Sequence, residues 1–270
     1  MNDEAKSTAL NPGNLHSFFD ACRFYDYWMF MGWADVVRGY SRMKLGVLWV
    51  PASQAIFISV LGVLYAMILN YSAESYIPYL SGGIITWNLI RSVIMESGRC
   101  YISNSRLLLN SAISPYVLVL RMVWRNHLIF ALTLSVHLAI LLIFQIRWSW
   151  EILLFPIGVA YIFLNSIWVG LTLAHFATRY RDLLQLVSNI MQPMFFITPI
   201  LWGHDKLAAK AVIFSEWNPF YNFIELVRAP LLMTAPQPFS YMYISVITLV
   251  GLAFAVWLIR HSGRSVVFWL

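Results

Sequence analysis

The cleanest apolar block, residues 45–70, has Gln54 as its only strongly polar interior residue. That length matches a hydrocarbon core about 30 Å thick, which a helix of about 20 apolar residues crosses. Inside lipid no water satisfies the backbone, so a spanning segment must close its own hydrogen bonds. Further apolar blocks lie at 79–101, 116–146, 150–178, 184–202 and 239–260, which predicts six transmembrane helices. The second is weaker, with Arg91, Glu96 and Arg99 toward its far end, and Pro193 and Pro199 interrupt the fifth. With 60% hydrophobic and 11% charged residues, the chain lacks the polar surface of a soluble domain, where charged residues make up about a quarter. No hydrophilic stretch is long enough for a separate soluble unit. The reading is a single all-α integral membrane domain over residues 1–270.

The basic residues orient it. Lys6, Arg23, Arg38, Arg42 and Lys44 precede the first span, and Arg91, Arg99, Arg106, Arg121 and Arg125 surround the link between spans two and three. Arg179 and Arg181 follow span four, and Arg260 and Arg264 follow span six. Against these, only Arg147, Lys206, Lys210 and Arg228 fall on the opposite side. The rich side is the cytosol. An even number of spans then places both termini there, in a multi-pass protein. The net charge of +6 is on this account a topology signal and does not point to nucleic acid. The first fourteen residues have no apolar core, so no cleaved signal is expected. Cys22 and Cys100 both fall on the cytosolic side, where a disulfide is not expected.

Two segments are irregular. Residues 16–39, within a stretch at 14–44, mix Phe18, Phe19, Phe24, Tyr25, Tyr27, Trp28, Phe30 and Trp33 with Asp20, Arg23, Asp26, Asp35 and Arg38. Phe18, Cys22, Tyr25 and Met29 share one helical face. Such a helix lies in the headgroup plane with its rings at the interface, and a plain amphipathic anchor is the simpler reading of it. Between spans five and six, residues 203–238 have an apolar middle at 220–233 that is too short to cross. A re-entrant helical hairpin is predicted there, with the re-entrant segment at about 211–233.

Several chemistries are missing. No G-x-x-x-x-G-K-[ST] loop occurs, so ATP hydrolysis does not reside on this chain. His16, His127, His137, His175, His204 and His261 are not at metal-ligand spacing, and neither a metal site nor a catalytic residue is predicted. His137 alone sits deep in a span, where a satisfied packing histidine is the default and a proton relay the alternative. Asn70-Tyr71-Ser72 matches a glycosylation acceptor by chance. The 12 Trp, 14 Tyr and 18 Phe either form interfacial belts or line a conduit on which sugars stack. Both readings stay open, with Trp87, Phe196, Trp202, Trp217 and Tyr221 as the candidate lining.

Several stretches, in order along most of the chain, resemble one family. Arg38-Gly39-Tyr40-Ser41-Arg42-Met43-Lys44-Leu45-Gly46-Val47-Leu48-Trp49 is similar to an R-Y-x-x-S-x-L-G-x-x-W element, with Gly39 inserted between Arg and Tyr. Leu80-Ser81-Gly82, Trp87, Asn104-Ser105-Arg106-Leu107-Leu108 and Ser114-Pro115 resemble its G…W, N-x-x-L-[IL] and following proline. Arg181-Asp182-Leu183 resembles an R-D-L turn, and Pro199 with Asn218-Pro219-Phe220 and Arg228 resembles a late proline and an N-P…R element. The family is that of the permease subunits of type-2 ABC exporters carrying O-antigen, capsule or teichoic-acid polymers (the Wzm/KpsM type).

The resemblance implies a homodimer in the bacterial inner membrane, two copies of a cytosolic ATPase that bind ATP and Mg, and a lipid-linked polysaccharide as cargo. It implies coupling to the ATPase through a short helix at about 100–115, with Arg106 and Leu107, and through Arg181 and Asp182 in the turn at 179–183. Trp33, Arg38, Tyr40, Arg42 and Lys44 would form the interfacial gate. Independently, guanidinium groups pair with phosphate oxygens in a fork, so Arg91, Arg99, Arg106, Arg121 and Arg125 suit a substrate phosphate or pyrophosphate. Positive-inside placement and lipid headgroup contact are the simpler account of any one of these arginines, less so of the cluster. A related exporter of drugs or lipids is the alternative within transport. A membrane-embedded glycan or acyl transferase is the alternative outside it, and only His137 and Glu96 would suit it as base.

Overall fold

The computed structural model describes residues 15–110, 113–202, 215–262 and 269, and among these no strand occurs. Eleven α-helices follow in order: α1 Leu15–Arg23, α2 Tyr25–Tyr40, α3 Trp49–Leu69, α4 Ala73–Ser97, α5 Cys100–Ser103, α6 Ser105–Asn110, α7 Pro115–Ile143, α8 Phe155–Arg179, α9 Asp182–Ile197, α10 Pro219–Leu231 and α11 Pro238–Ser262. Short 3-10 turns at Gly46–Leu48 and Trp150–Leu154 lead into α3 and α8. Among the described residues, four segments are long and apolar enough to cross a bilayer: Gly46–Leu69, Pro115–Ile143, Trp150–Arg179 and Pro238–His261. They coincide with the first, third, fourth and sixth expected spans.

The other two differ for physical reasons. Helix α4 has 25 residues, about 37 Å at 1.5 Å per residue, which is long enough. It is less apolar because it is sheathed by protein: Leu80, Ser81, Gly82, Gly83, Ile84, Ile85, Thr86 and Trp87 are consecutive buried residues. Its hydroxyls bond back to their own helix, Ser81 Oγ to the Pro78 carbonyl at 2.9 Å and Thr86 Oγ1 to that of Gly82 at 2.8 Å. A helix that faces protein need not be greasy. Helix α9 has 16 residues, about 24 Å, and its predicted run to 202 stops at Ile197. Pro193 is absorbed inside the helix, but Thr198, before Pro199, turns extended (φ −78°, ψ 134°), as the residue preceding a proline prefers.

The linkers read as caps. Asn70 adopts a left-handed conformation (φ 54°) that ends α3, and Ser72 caps α4 by accepting from the Ser75 N–H at 3.4 Å. The Asn70-Tyr71-Ser72 triplet is thus the turn between two helices. Pro115 opens α7 and Pro219 opens α10, the position where a missing N–H costs nothing.

The amphipathic stretch expected as one helix is two, broken at Phe24 (φ −80°, ψ 40°). The break splits that shared face: Phe18, Cys22 and Met29 pack on the core, whereas Tyr25 is exposed. Ala21, Trp28, Gly32 and Val36 are buried instead, and Phe19, Phe24, Phe30 and Trp33 point outward. Helix α2 lies directly on α7. A Cβ at Gly32 would come within 2.9 Å of Trp124 Cδ1 and 3.2 Å of the Arg121 carbonyl oxygen, and Trp28 meets Trp124 edge-on. Cys22 and Cys100 are free thiols, and burial pushes that of Cys22 up.

Helix α10 has 13 residues, about 20 Å, and does not reach across a bilayer. The first arm of the predicted hairpin, including 211–214, lies outside the described residues. Helix α10 is wedged among α4, α8 and α11, and its backbone meets α8 where a Cβ at Gly158 would sit 2.2 Å from the Leu226 carbonyl oxygen.

Candidate functional site

Where α2, the α4–α5 junction and α7 converge, charged side chains line a cavity of about 370 Å3. Its walls carry Asp35 and Arg38 from α2, Glu96 from α4, Arg121 and Arg125 from α7, and Arg99 and Cys100 at the junction. Arg121 grips Asp35 in a fork, Nε to Oδ2 and Nη2 to Oδ1, both at 2.6 Å. Arg125 pairs with Glu96 and stands 3.8 Å from Asp35 Oδ2. Asn126 donates to Glu96 Oε2 at 2.7 Å. Arg38 and Arg99 are exposed and have no carboxylate partner among the described residues. Four guanidinium groups thus face two carboxylates. The fork also ties α2 to the bundle, so Asp35→Ala should release that helix, costing about 1–3 kcal/mol. Faster limited proteolysis within α2 at unchanged membrane insertion would show it, and a wild-type cleavage rate would refute it.

A second arginine is buried away from this cavity. Arg228 of α10 is 2% exposed. It donates to the Pro199 carbonyl at 2.9 Å and to Glu225 Oε2 at 3.0 Å, with its guanidinium 4.1 Å from the centre of the Tyr79 ring. Gly82 and Gly83 make room for it; a Cβ at Gly82 would lie 3.3 Å from Arg228 Cγ. The irregular end of α9 is held by this arginine, by Tyr76 to the Leu201 carbonyl at 2.5 Å, and by Tyr79 to those of Pro199 and Trp202 at 3.2 and 3.1 Å. Asn218 caps α10 through the Phe220 N–H and donates to Thr198 Oγ1. At the other end of α10, His137 Nε2 lies 3.4 Å from the Leu231 carbonyl oxygen and Nδ1 2.7 Å from Ser81 Oγ. In the Nε2–H tautomer the ring donates to the first, and Nδ1 accepts from Ser81 only when that hydroxyl turns its single proton away from the Pro78 carbonyl. The deep histidine is a satisfied packing residue that helps close a broken helix end.

The other predicted residues are distributed as follows. Arg106, Arg181 and Asp182 are exposed, and Leu107 is half-buried. The C-terminal cap of α4 and the first turn of α9 approach each other at Gly98, where a Cβ would lie 2.3 Å from Leu184 Cδ2. Trp33, Arg42 and Lys44 are exposed and Tyr40 is half-buried. Of the arginines singled out, Arg99, Arg121 and Arg125 share the cavity, whereas Arg91 and Arg106 are exposed outside it. Trp87 is buried between Phe195 and Phe220, and Tyr221 is buried too. Phe196 and Trp217 are exposed, and Trp202 is half-buried. Helix α9 also exposes Gln185, Asn189 and Gln192 in one stripe, with Gln185 donating to Asn189 at 3.0 Å. Their i, i+4, i+7 spacing was the signal for it. Asp35 gave no comparable signal, because its partner lies 86 residues away. Glu96 and His137 do not form a catalytic pair. Glu96 is bound at Asn126, about 16 Å along α7 from His137.

The family model for ABC-2 type transporters matches residues 28–232. The chain belongs to the ABC-2 type transporter family. This ABC-2 protein is 28% identical over 226 residues to an O-antigen export system permease protein, RfbA, of Klebsiella pneumoniae, covering 82% of this chain and 85% of the relative. It is 26% identical over 193 residues to an RfbA of Myxococcus xanthus, covering 70% and 74%. With family and apolar helices together, the ABC-2 chain is a multi-pass membrane permease subunit.

Proposed function

We infer that this chain is the membrane subunit of an ATP-driven exporter of a lipid-linked polysaccharide, O-antigen or capsular in kind. The likeness to O-antigen export permeases over more than four-fifths of both chains carries this reading. Two copies surround a conduit in the bacterial inner membrane, with both termini in the cytosol. Two copies of a separate ATPase chain bind ATP and Mg beneath them. α4 and α9 complete six spans, α1 and α2 lie in the headgroup plane, and α10 is the inner arm of a re-entrant hairpin.

Three features support these finer points. The exposed rings of α1 and α2 suit a headgroup layer. The stripe Gln185, Asn189 and Gln192 on an otherwise apolar helix would be costly against lipid and suits a wet lumen. A lumen between protomers is lined by rings exposed on one protomer, which selects Phe196 and Trp217, leaves Trp202 half-buried beside them, and leaves Trp87 and Tyr221 to packing.

Affinity purification from native membranes should bring down an ATP-hydrolysing partner, and glycolipid should stimulate its turnover. Stimulation by hydrophobic drugs alone would shift the reading to a drug exporter, and absence of an ATPase would end it. Arg181→Ala and Asp182→Ala, both at the exposed turn, should cut glycan export about tenfold or more, the loss expected when a charged contact is removed. Insertion should be unchanged. Wild-type export by both would remove that turn from the coupling path.

A further inference from the structure

We propose that Arg91 is an anion-reading residue inside the conduit, and that its ligand is a uronate carboxylate of an acidic glycan in passage. The proposal rests on the export reading above, with α4 and α9 as spans, and names the class of polymer. Depth is the first argument. Gly98 marks the level of the α8–α9 turn, since a Cβ there would lie 3.6 Å from Ala177 Cβ and 2.3 Å from Leu184 Cδ2. Eleven residues back along α4 and eleven forward along α9, Trp87 meets Phe195 with ring centroids 5.7 Å apart. The two helices therefore run antiparallel in one register. Arg91 stands seven residues before Gly98, about 10 Å deeper in the bilayer than the turn. Positive-inside counting groups it with the cytosolic arginines, whereas the helix register sets it inside the span.

Surroundings are the second. Arg91 is exposed and has no carboxylate partner among the described residues. A charged side chain at that depth is costly against lipid and faces a bundle interior or a wet cavity. Its neighbours one turn away on the same face of α4 locate it. Asn88 donates to Gln54 Oε1 of α3 at 3.0 Å, and Met95 lines an apolar crevice with Leu184 and Val187 of α9. The arginine thus stands between α3 and α9, and in the shared register the exposed Asn189 and Gln192 flank its level on α9. Those amides belong to the stripe that suits a wet lumen. Chemistry is the third. A guanidinium offers paired N–H groups to a planar carboxylate in a fork, and amides donate to and accept from sugar hydroxyls. Phospholipid phosphates lie in the headgroup layer, about 10 Å away, so the anion that reaches this level is one carried by the polymer. The nearest carboxylate along α4, Glu96, is already engaged by Arg125 and Asn126.

The test uses the full chain with its ATPase partner in nanodiscs and two probes, hexagalacturonate and the neutral hexamer made by reducing its carboxyl groups. Wild type should bind the acidic hexamer about tenfold more tightly, the effect of one charged hydrogen-bonded pair. Arg91→Gln should erase that difference and Arg91→Lys should keep part of it. Arg260→Gln, exposed at the end of α11, should keep all of it. These side chains are exposed, so every variant should unfold at the wild-type temperature. Arg91→Cys should also react with a membrane-impermeant thiol reagent, above the wild-type background, in the assembled complex. An unreactive Arg91→Cys variant means that lipid or the second copy covers the position, and it overturns the proposal. So does an equal affinity of wild type for both hexamers, or an undiminished preference in Arg91→Gln. The export reading fails separately, when no ATPase accompanies the chain. The Arg91 assignment fails alone when the complex forms and exports glycan while Arg91→Gln keeps the wild-type preference.

Discussion

Replacing Arg228 by Ala is expected to produce the largest loss of folded protein of any single substitution considered. The side chain is 2% exposed and joins three parts of the fold: the broken end of α9 at Pro199, the acid Glu225 on its own helix, and the Tyr79 ring of α4. Truncation removes one of the two donors at the Pro199 carbonyl, leaving only the Tyr79 hydroxyl, and leaves Glu225 as a charge with little access to water. Breaking one side of a buried ion pair costs about 3–5 kcal/mol, which by the scale of soluble domains lowers the unfolding temperature by roughly 10 °C. Arg228→Lys should fall between, since a single ammonium does not span both acceptors in one plane. Detergent-solubilised thermal unfolding, read beside export, checks the series. An unfolding temperature within a degree or two of wild type for the alanine variant would mean that the three segments are held together by something else.

The second large effect concerns Gly158, and it is graded against two other glycines. A Cβ there would lie 2.2 Å from the Leu226 carbonyl oxygen and 2.8 Å from its carbonyl carbon. Both are backbone atoms of a helix clamped on several sides, so neither yields without moving α10 bodily. Gly158→Ala should therefore reach or exceed the upper end of the overpacking range, about 3 kcal/mol. It should also reduce export, because α10 carries Arg228. Gly98→Ala meets mainly the tip of Leu184, at 2.3 Å. A side-chain end can swing away, and the expected cost is about 1 kcal/mol. Gly39, in helix α2, has nothing within 4 Å of its Cβ position, so Gly39→Ala should be neutral or stabilise by about 0.5–1 kcal/mol. The order of unfolding temperatures, Gly158 lowest and Gly39 highest, is the measurement. A Gly158→Ala protein as stable as Gly39→Ala would contradict the close contact of α8 and α10.

Much of this was legible in the chain. Residue pairs that were quoted only as motif fragments have local structural causes: Asn218-Pro219 is a cap followed by a first-turn proline, Pro199 ends α9 through its effect on Thr198, and Asp182 sits in the first turn of α9. The arginine cavity was only half legible. Positive-inside counting put Arg91, Arg99, Arg106, Arg121 and Arg125 in one region, but it has no means of telling which share a space. Arg38 joins them from α2, while Arg91 and Arg106 point elsewhere. Trp87 illustrates the same limit for the rings, since aromatic content says nothing about which side of a helix is covered.

By itself the sequence determined the helical class, the four strongly apolar spans, the charge asymmetry and the residues that start and stop helices. These properties depend on neighbours within a few turns of the same segment, and lipid enforces them by leaving no other way to satisfy the backbone. Only the tertiary structure decided that α4 is sheathed by protein, that Asp35 meets Arg121 across 86 residues, and that Arg228 anchors the broken end of α9. Those outcomes depend on how each helix is rotated and how closely its neighbour can approach. Here Gly32 and Gly158 set that approach, and a contact between helices is written in neither one alone.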